Sequence, residues 1–319
     1  MKINMKELKE EAQAFDNRIN ERISDGFIPD LRRAVKCDHF YKSFWRDPQF
    51  IDLYLGRINE GYLNLLHKHC GKELRILDVG CGAGYMSLEL ARAGYHVTAI
   101  DISKSCIDVA KKMLEENSYN DGFGSLKYFV KPLHEVDEQF DVVLFSVSLH
   151  HMIDLQGAVD YAHDLLPQGG NILCYEPCHD KFTNADAAIV GLIRGILSLT
   201  GNWYDENENR DHLFDVIGFD KIAKDICYEF VMERDKNEPD GQSPHDLESD
   251  GDEIIEALRK RFQEVELRSG HSFIYRLLGG IRGSENQIKN LAEHIAAYDR
   301  YAVKNGYINP NHFFFLGRK

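Results

Sequence analysis

Between Leu74 and Cys178 short apolar runs alternate with amphipathic stretches: RILDVG, HVTAID, KYFVKPL, FDVVLFSV and NILCYEPC, with helical spacing after the first, second and fourth. Strands that are apolar throughout, separated by helices, predict a parallel sheet covered on both faces. The link from the third run to the fourth, HEVDEQ, is too short for a full helix. Residues 1–70 show helical spacing at Phe15, Ile19 and Ile23, then the aromatic-rich HFYKSFWRDPQFIDLYL, and read as a helical leader. Residues 180–250 break the alternation. ADAAIVGLIRGILSL is nearly all apolar, NWYDENENRDH is polar, a helix is expected around Phe214 to Phe230, and RDKNEPDGQSPHDLESDGDE has the composition of a mobile acidic linker. The expectation is an inserted cap over residues 180–250, with the core formed by 71–179 and 251–319. In the second core segment DEIIEALRKRF sets Ile254, Ile255, Leu258 and Phe262 on one helical face, and EVELRSGHSFIY is strand-like. Ser284 and Gln287 form a capping box for a helix reaching Lys304, Gly306 and Pro310 stop it, and HFFFLG predicts a last strand.

Composition narrows the classes. A chain of 319 residues, 43% hydrophobic, can bury one large core with additions. No window approaches the roughly 20 apolar residues that span a bilayer, and Asp186 and Arg194 interrupt the cap helix, so no membrane span is expected. Gly191 and Gly195 permit close helix approach there, under the cap or in a homodimer interface. MKINMKELKEEAQAF lacks the apolar run of a signal peptide, and seven cysteines from Cys37 to Cys227 show neither paired metal spacing nor a disulfide framework. A cytoplasmic protein without a metal centre is the expectation. The net charge of −14 opposes a nucleic-acid backbone.

The glycine loop carries the first chemistry. In DVGCGAG, Gly80, Gly82 and Gly84 allow positive φ and close approach of a ligand to the backbone, and the loop ends where a helix begins, so free N–H groups face the same crevice. The spacing is G-x-G-x-G, whereas the dinucleotide fingerprint needs G-x-G-x-x-G; position 85 is Tyr. Asp101, ending the second strand, suits a ribose diol, because a carboxylate accepts from two hydroxyls.

Together, the loop, the carboxylate at Asp101, FDVVLFSVSLHHM and LLPQGGNILCYEP resemble the class I S-adenosylmethionine-dependent methyltransferases, in their small-molecule branch. The resemblance implies a Rossmann-like α/β fold of seven strands, the last antiparallel and matched by HFFFLG. It implies that Asp78 orders the loop and the cofactor's amino group, and that Gly80 and Gly82 meet the methionine portion. Asp101 would hold the ribose and Ile102 the adenine, with Leu133 and Ser146 along the same groove. The family's acidic adenine ligand after the third strand is absent; Lys131, Pro132, Leu133 and His134 stand there.

Methyl transfer needs alignment of nucleophile, methyl and sulfur, and a base where the acceptor is a hydroxyl or protonated amine. His150 and His151 follow the fourth strand at the rim where ligands of open sheets bind, and imidazole titrates near neutrality. His151 matches the second His of the family's L-H-H motif. Glu176 and His179 follow the fifth strand, and Tyr41 and Trp45 of the leader are candidates for substrate contact. The expected activity is O- or N-methylation of a small molecule, yielding S-adenosylhomocysteine. The alternatives are a cofactor-binding scaffold without turnover and, on the spacing evidence a weaker choice, an NAD-dependent oxidoreductase.

Overall fold

The computed structural model of the chain describes residues 4–205, 207, 210–232, 243–244 and 250–319. The leader contains α1 (Met5–Ser24), then α2 (Pro48–Ile51), which runs through a wide turn over Asp52–Gly56 into α3 (Arg57–His69). The first core segment follows as β1 (Arg75–Val79), α4 (Tyr85–Arg92), β2 (His96–Asp101), α5 (Lys104–Glu115), β3 (Ser125–Val130), β4 (Val142–Ser146), α6 (Leu155–Asp164) and β5 (Asn171–Pro177). Then come α7 (Asn184–Leu199), α8 (Val216–Val231), α9 (Gly251–Arg259), β6 (Gln263–Ser269), α10 (Glu285–Lys304) and β7 (His312–Arg318).

Among the described residues the strands form one sheet in the order β3-β2-β1-β4-β5-β7-β6, in which β7 runs antiparallel to β5 and β6 and the other pairs are parallel. This is the seven-stranded α/β arrangement with an antiparallel last strand that the resemblance implied. The strand order reverses between β1 and β4, so a crevice opens at their carboxyl ends, where open α/β sheets hold ligands. Apolar side chains fill both faces of the sheet. Phe50, Tyr62, Leu90 and Phe314 lie in one layer, and Val143, Phe145, Ile254 and Phe315 lie in the other.

One expectation needs correction. The strand expected through HSFIY stops at Ser269, because the Asp299 carboxylate of α10 accepts the N–H groups of Ser272 and Phe273 and a tight helical turn over Ile274–Arg276 follows. The apolar helix α7 is only partly shielded: Gly191 sits against Ile222 of α8, while Leu192, Ile196 and Leu199 stay about half exposed. Residues 233–242 and 245–249 of the acidic linker lie outside the described residues.

A buried ionic network locks the leader to the core. Arg92 of α4 donates to both carboxylate oxygens of Asp30 at 2.8 Å and to Glu89 at 2.6 Å, and Glu89 also accepts from Arg32. Both the Asp30 and Arg92 side chains are almost fully buried. Burial pushes the Asp30 carboxyl up, but hydrogen bonds from Arg92 and the Arg32 N–H outweigh it, and its pKa ends below the ordinary value. Removing one partner of such a pair leaves an uncompensated buried charge, so Asp30→Asn should cost about 3 kcal/mol in denaturant unfolding at neutral pH. Because the folded-state pKa is depressed, this stability is present above the ordinary carboxylate pKa and is lost as pH falls through the depressed one. The gap between native protein and variant should therefore close below about pH 4. A variant as stable as the native chain at pH 7 would contradict this account.

Candidate active site

Loop geometry at β1 follows from close contacts. Gly80 has φ +72°, and a Cβ there would lie 2.7 Å from the Cβ of Ser148, whose hydroxyl donates to the Val79 carbonyl at 2.6 Å. Gly84 has φ +78° and packs against Tyr128, which donates to the Gly84 carbonyl at 2.9 Å; a Cβ there would overlap the phenol. At Gly82 a Cβ would meet nothing within 4 Å, so its face is open to a ligand.

Asp101 closes the other side. Its carboxylate accepts the N–H of Gly82 and the N–H of Ser103, each at 2.8 Å, so the same group that ends β2 also sets the loop. Burial raises the Asp101 pKa, the two N–H bonds oppose that, and Asp16 adds to it. Asp78 is 1% exposed, accepts the Ser87 hydroxyl on one oxygen, and keeps its other oxygen buried without a hydrogen-bond partner. Burial lifts its pKa to about 7, with Ser87 opposing and the Asp101 charge assisting. A buried carboxylate oxygen lining the crevice and lacking a donor fits the ammonium of an amino-acid moiety, and Asp101 retains acceptor capacity for a diol. These residues therefore fit the cofactor that the resemblance implied.

One cavity of about 670 Å³ connects this crevice to a second region. That volume lies within the range typical of small-molecule sites. Asp78, Gly80, Gly82, Asp101, Ile102, Leu133 and Ser146 line it, as do His150, His151 and Trp45. Four expected residues do not. Gly84 serves helix–strand packing. Tyr41 is about half exposed and packs on Tyr204 at 5.6 Å. Glu176 is fully buried, and its carboxylate accepts the N–H groups of Ser148 and Leu149 at 2.9 Å while contacting His150 Nδ1 at 2.7 Å. His179 is turned away onto Asn311. Glu176 thus shapes the turn over Leu149–His151 from behind instead of facing a substrate.

That turn is strained at its entrance: Val147, a β-branched residue, has φ +54°, held by its N–H on the Tyr175 carbonyl at 2.8 Å. It delivers His151 to the cavity 3.2 Å from Glu11 of α1, with Phe15 edge-on at 5.4 Å. The same cavity is also lined by Tyr54, Trp203, Tyr204 and Tyr275, with His312 edge-on to Tyr275 at 5.2 Å. Arg194 enters the same wall between α7 and α8, bidentate to Glu229 at 2.7 and 3.0 Å and 5.5 Å above Trp203. Glu11 was readable in principle, since it shares the face of Phe15 and Ile19 at positions i, i+4 and i+8, a carboxylate on an apolar stripe. Tyr54 lay in the aromatic run of the leader and Arg194 interrupted the apolar helix, but nothing local pointed to their meeting, or to Tyr275, His312 or Glu229.

Residues 77–174 match a family model described as a methyltransferase domain. The chain is 33% identical over 143 residues to a ubiquinone biosynthesis O-methyltransferase of Xylella fastidiosa, covering 44% of this chain and 58% of that protein. It is 34% identical over 153 residues to one from Alkalilimnicola ehrlichii, covering 45% and 61%. The chain thus spans less than two thirds of these relatives. The crystal structure of the [4+2]-cyclase SpnF aligns over 98% of this chain and 94% of its own, at 14% identity and a TM-score of 0.50, a likeness of fold.

The two loop glycines should separate on substitution. Gly80→Ala combines a left-handed backbone with overlap on Ser148, and is expected to lower unfolding free energy by about 1–3 kcal/mol. Gly82→Ala, with open space around it, should cost less in stability than Gly80→Ala. Equal losses would mean that the Gly80–Ser148 contact does not constrain the loop.

Proposed function

We propose that this chain, whose residues 77–174 match a methyltransferase domain, is a class I S-adenosylmethionine-dependent methyltransferase that methylates a hydroxyl of a small acceptor bearing a planar apolar ring. The observation that carries the reading is the shared cavity: residues fitted for the cofactor, His151 and a set of aromatic rings all line the same space. Bound there, S-adenosylmethionine supplies an electrophilic sulfonium methyl, with S-adenosylhomocysteine as the leaving group. Asp101 accepts the ribose hydroxyls, Ile102 and Leu133 flank the adenine, and Asp78 with the open face at Gly82 takes the amino-acid end. The tyrosine and tryptophan rings orient the acceptor, and the cap helices α7 and α8 select it through the wall that carries Arg194 and Glu229. His151 accepts the acceptor's proton, and the turn held by Glu176 keeps the imidazole at the meeting point of the two regions. Relatives named as O-methyltransferases support oxygen as the methylated atom.

Calorimetry with S-adenosylhomocysteine tests the reading. Binding is expected, and Asp101→Ala should weaken it by about 1.5–3 kcal/mol, the range for hydrogen bonds to a charged group. Because the Asp78 pKa is raised to about 7, its carboxyl is largely protonated below that pH and meets a ligand ammonium well only above it. Affinity should therefore increase from about pH 6 to 8, and Asp78→Asn should flatten the increase. Binding of NADH with no response to S-adenosylhomocysteine would overturn the assignment. A mass-shift screen of phenolic acceptors with labelled S-adenosylmethionine then identifies the substrate.

A further inference from the structure

Three separate segments converge on one imidazole. Glu11 of α1 is 5% exposed although it sits in a helix that is otherwise solvent-facing on one side. Its Oε1 lies 3.2 Å from His151 Nδ1 and accepts the Ser243 hydroxyl at 2.6 Å, while the Ser243 oxygen lies 3.3 Å from the same Nδ1. Phe15, one turn along α1, packs edge-on against the ring. Burying a carboxylate is costly unless it is paired, so its placement on the apolar stripe of a covering helix needs partners, and the candidate base is one of them alongside Ser243.

We propose that Glu11 is the positioning residue for His151, carried on α1 so that the base is complete only when this helix is docked across the cavity. The inference rests on the methyl-transfer reading. With Nδ1–H donated to Glu11, Nε2 is the unprotonated nitrogen of the neutral ring, and its lone pair is the one that can take a proton. As the acceptor's O–H bond breaks, its proton goes to Nε2 and its electron pair forms the bond to the methyl carbon, whose bond to sulfur breaks. The imidazolium formed is held by the Glu11 carboxylate and later returns its proton to water. Other charged or titratable groups lining this part of the cavity are Arg18 on α1, Asp101 ending β2, Lys131 and His134 after β3, and His150 and Asp154 beside His151. Of these, Asp101 acts on His151 through space, but Glu11 is in direct contact, and Coulomb attraction falls with distance.

The test is a nitrogen-15 NMR titration of His151 in the full chain saturated with S-adenosylhomocysteine, comparing native protein with Glu11→Gln, Glu11→Asp and Ser243→Ala. The native imidazole should be protonated at Nδ1, and its pKa should fall by about one pH unit or more in Glu11→Gln as the opposite charge is removed. Glu11→Asp should fall between, and Ser243→Ala should change less than Glu11→Gln. On an acceptor found by the screen, Glu11→Gln should lower kcat about tenfold or more with the KM for S-adenosylmethionine nearly unchanged. The acidic limb of its pH profile should move to lower pH, because a less basic His151 deprotonates earlier. S-adenosylhomocysteine binding with identical His151 tautomer and titration in native protein and Glu11→Gln would show that Glu11 merely packs. Should Glu11→Gln not fold, an unchanged titration in Glu11→Asp overturns the proposal equally. No binding of S-adenosylhomocysteine would instead overturn the methyl-transfer reading itself.

Discussion

The site depends on where α1 is held, and one carboxylate does most of the holding. Asp16 of α1 accepts the Ser103 hydroxyl at 2.6 Å and the Ser105 N–H at 2.8 Å, so it sits on the amino terminus of α5, where unpaired N–H groups and the helix dipole favour negative charge. Ser103 in turn gives its own N–H to Asp101. The serine that begins α5 therefore ties the covering helix to the carboxylate that sets the glycine loop. Without α1 the crevice at the carboxyl ends of β1 and β4 would be open on the side that Glu11, Phe15 and Ile19 now line. The buried Arg92–Asp30 pair fixes the segment of the leader that follows α1.

Three further carboxylates have structural work of the same kind. Asp101 captures the N–H groups of Gly82 and Ser103, Glu176 those of Ser148 and Leu149, and Asp299 those of Ser272 and Phe273. In each case a carboxylate on a regular element fixes a non-repetitive segment whose backbone donors would otherwise be buried without partners. A charge-assisted hydrogen bond is stronger than a neutral one, which suits it to holding a strained turn such as the one at Val147. These acidic residues thus shape the cavity rim.

Local information made the sheet, the glycine loop and Asp101 legible, because strand periodicity, glycine spacing and a carboxylate at a strand end all lie within one short window. His150 and His151 were legible for the same reason. Glu176 and His179 were expected at the rim because position along the chain placed them near it, and position does not give direction; Tyr41 was expected from the aromatic run of the leader, which does not say which ring faces the cavity. β5 lies between two strands and is buried on both faces, so Glu176 turns inward to backbone donors. HSFIY reads as strand from its own residues, yet Asp299, on a helix formed by later sequence, claims its N–H groups. The aromatic region draws Tyr54, Trp203, Tyr275 and His312 from four distant segments, and no local pattern encodes that meeting.

The central claim is that cofactor crevice and aromatic region form one reaction chamber with His151 between them. A crystal structure of the protein with S-adenosylhomocysteine tests it most directly. The account predicts the ribose on Asp101, the amino group on Asp78, and the sulfur directed past His151 toward Tyr54 and Tyr275. Density for the ligand outside this crevice, or a sulfur directed away from His151 with the aromatic region closed off, would contradict it.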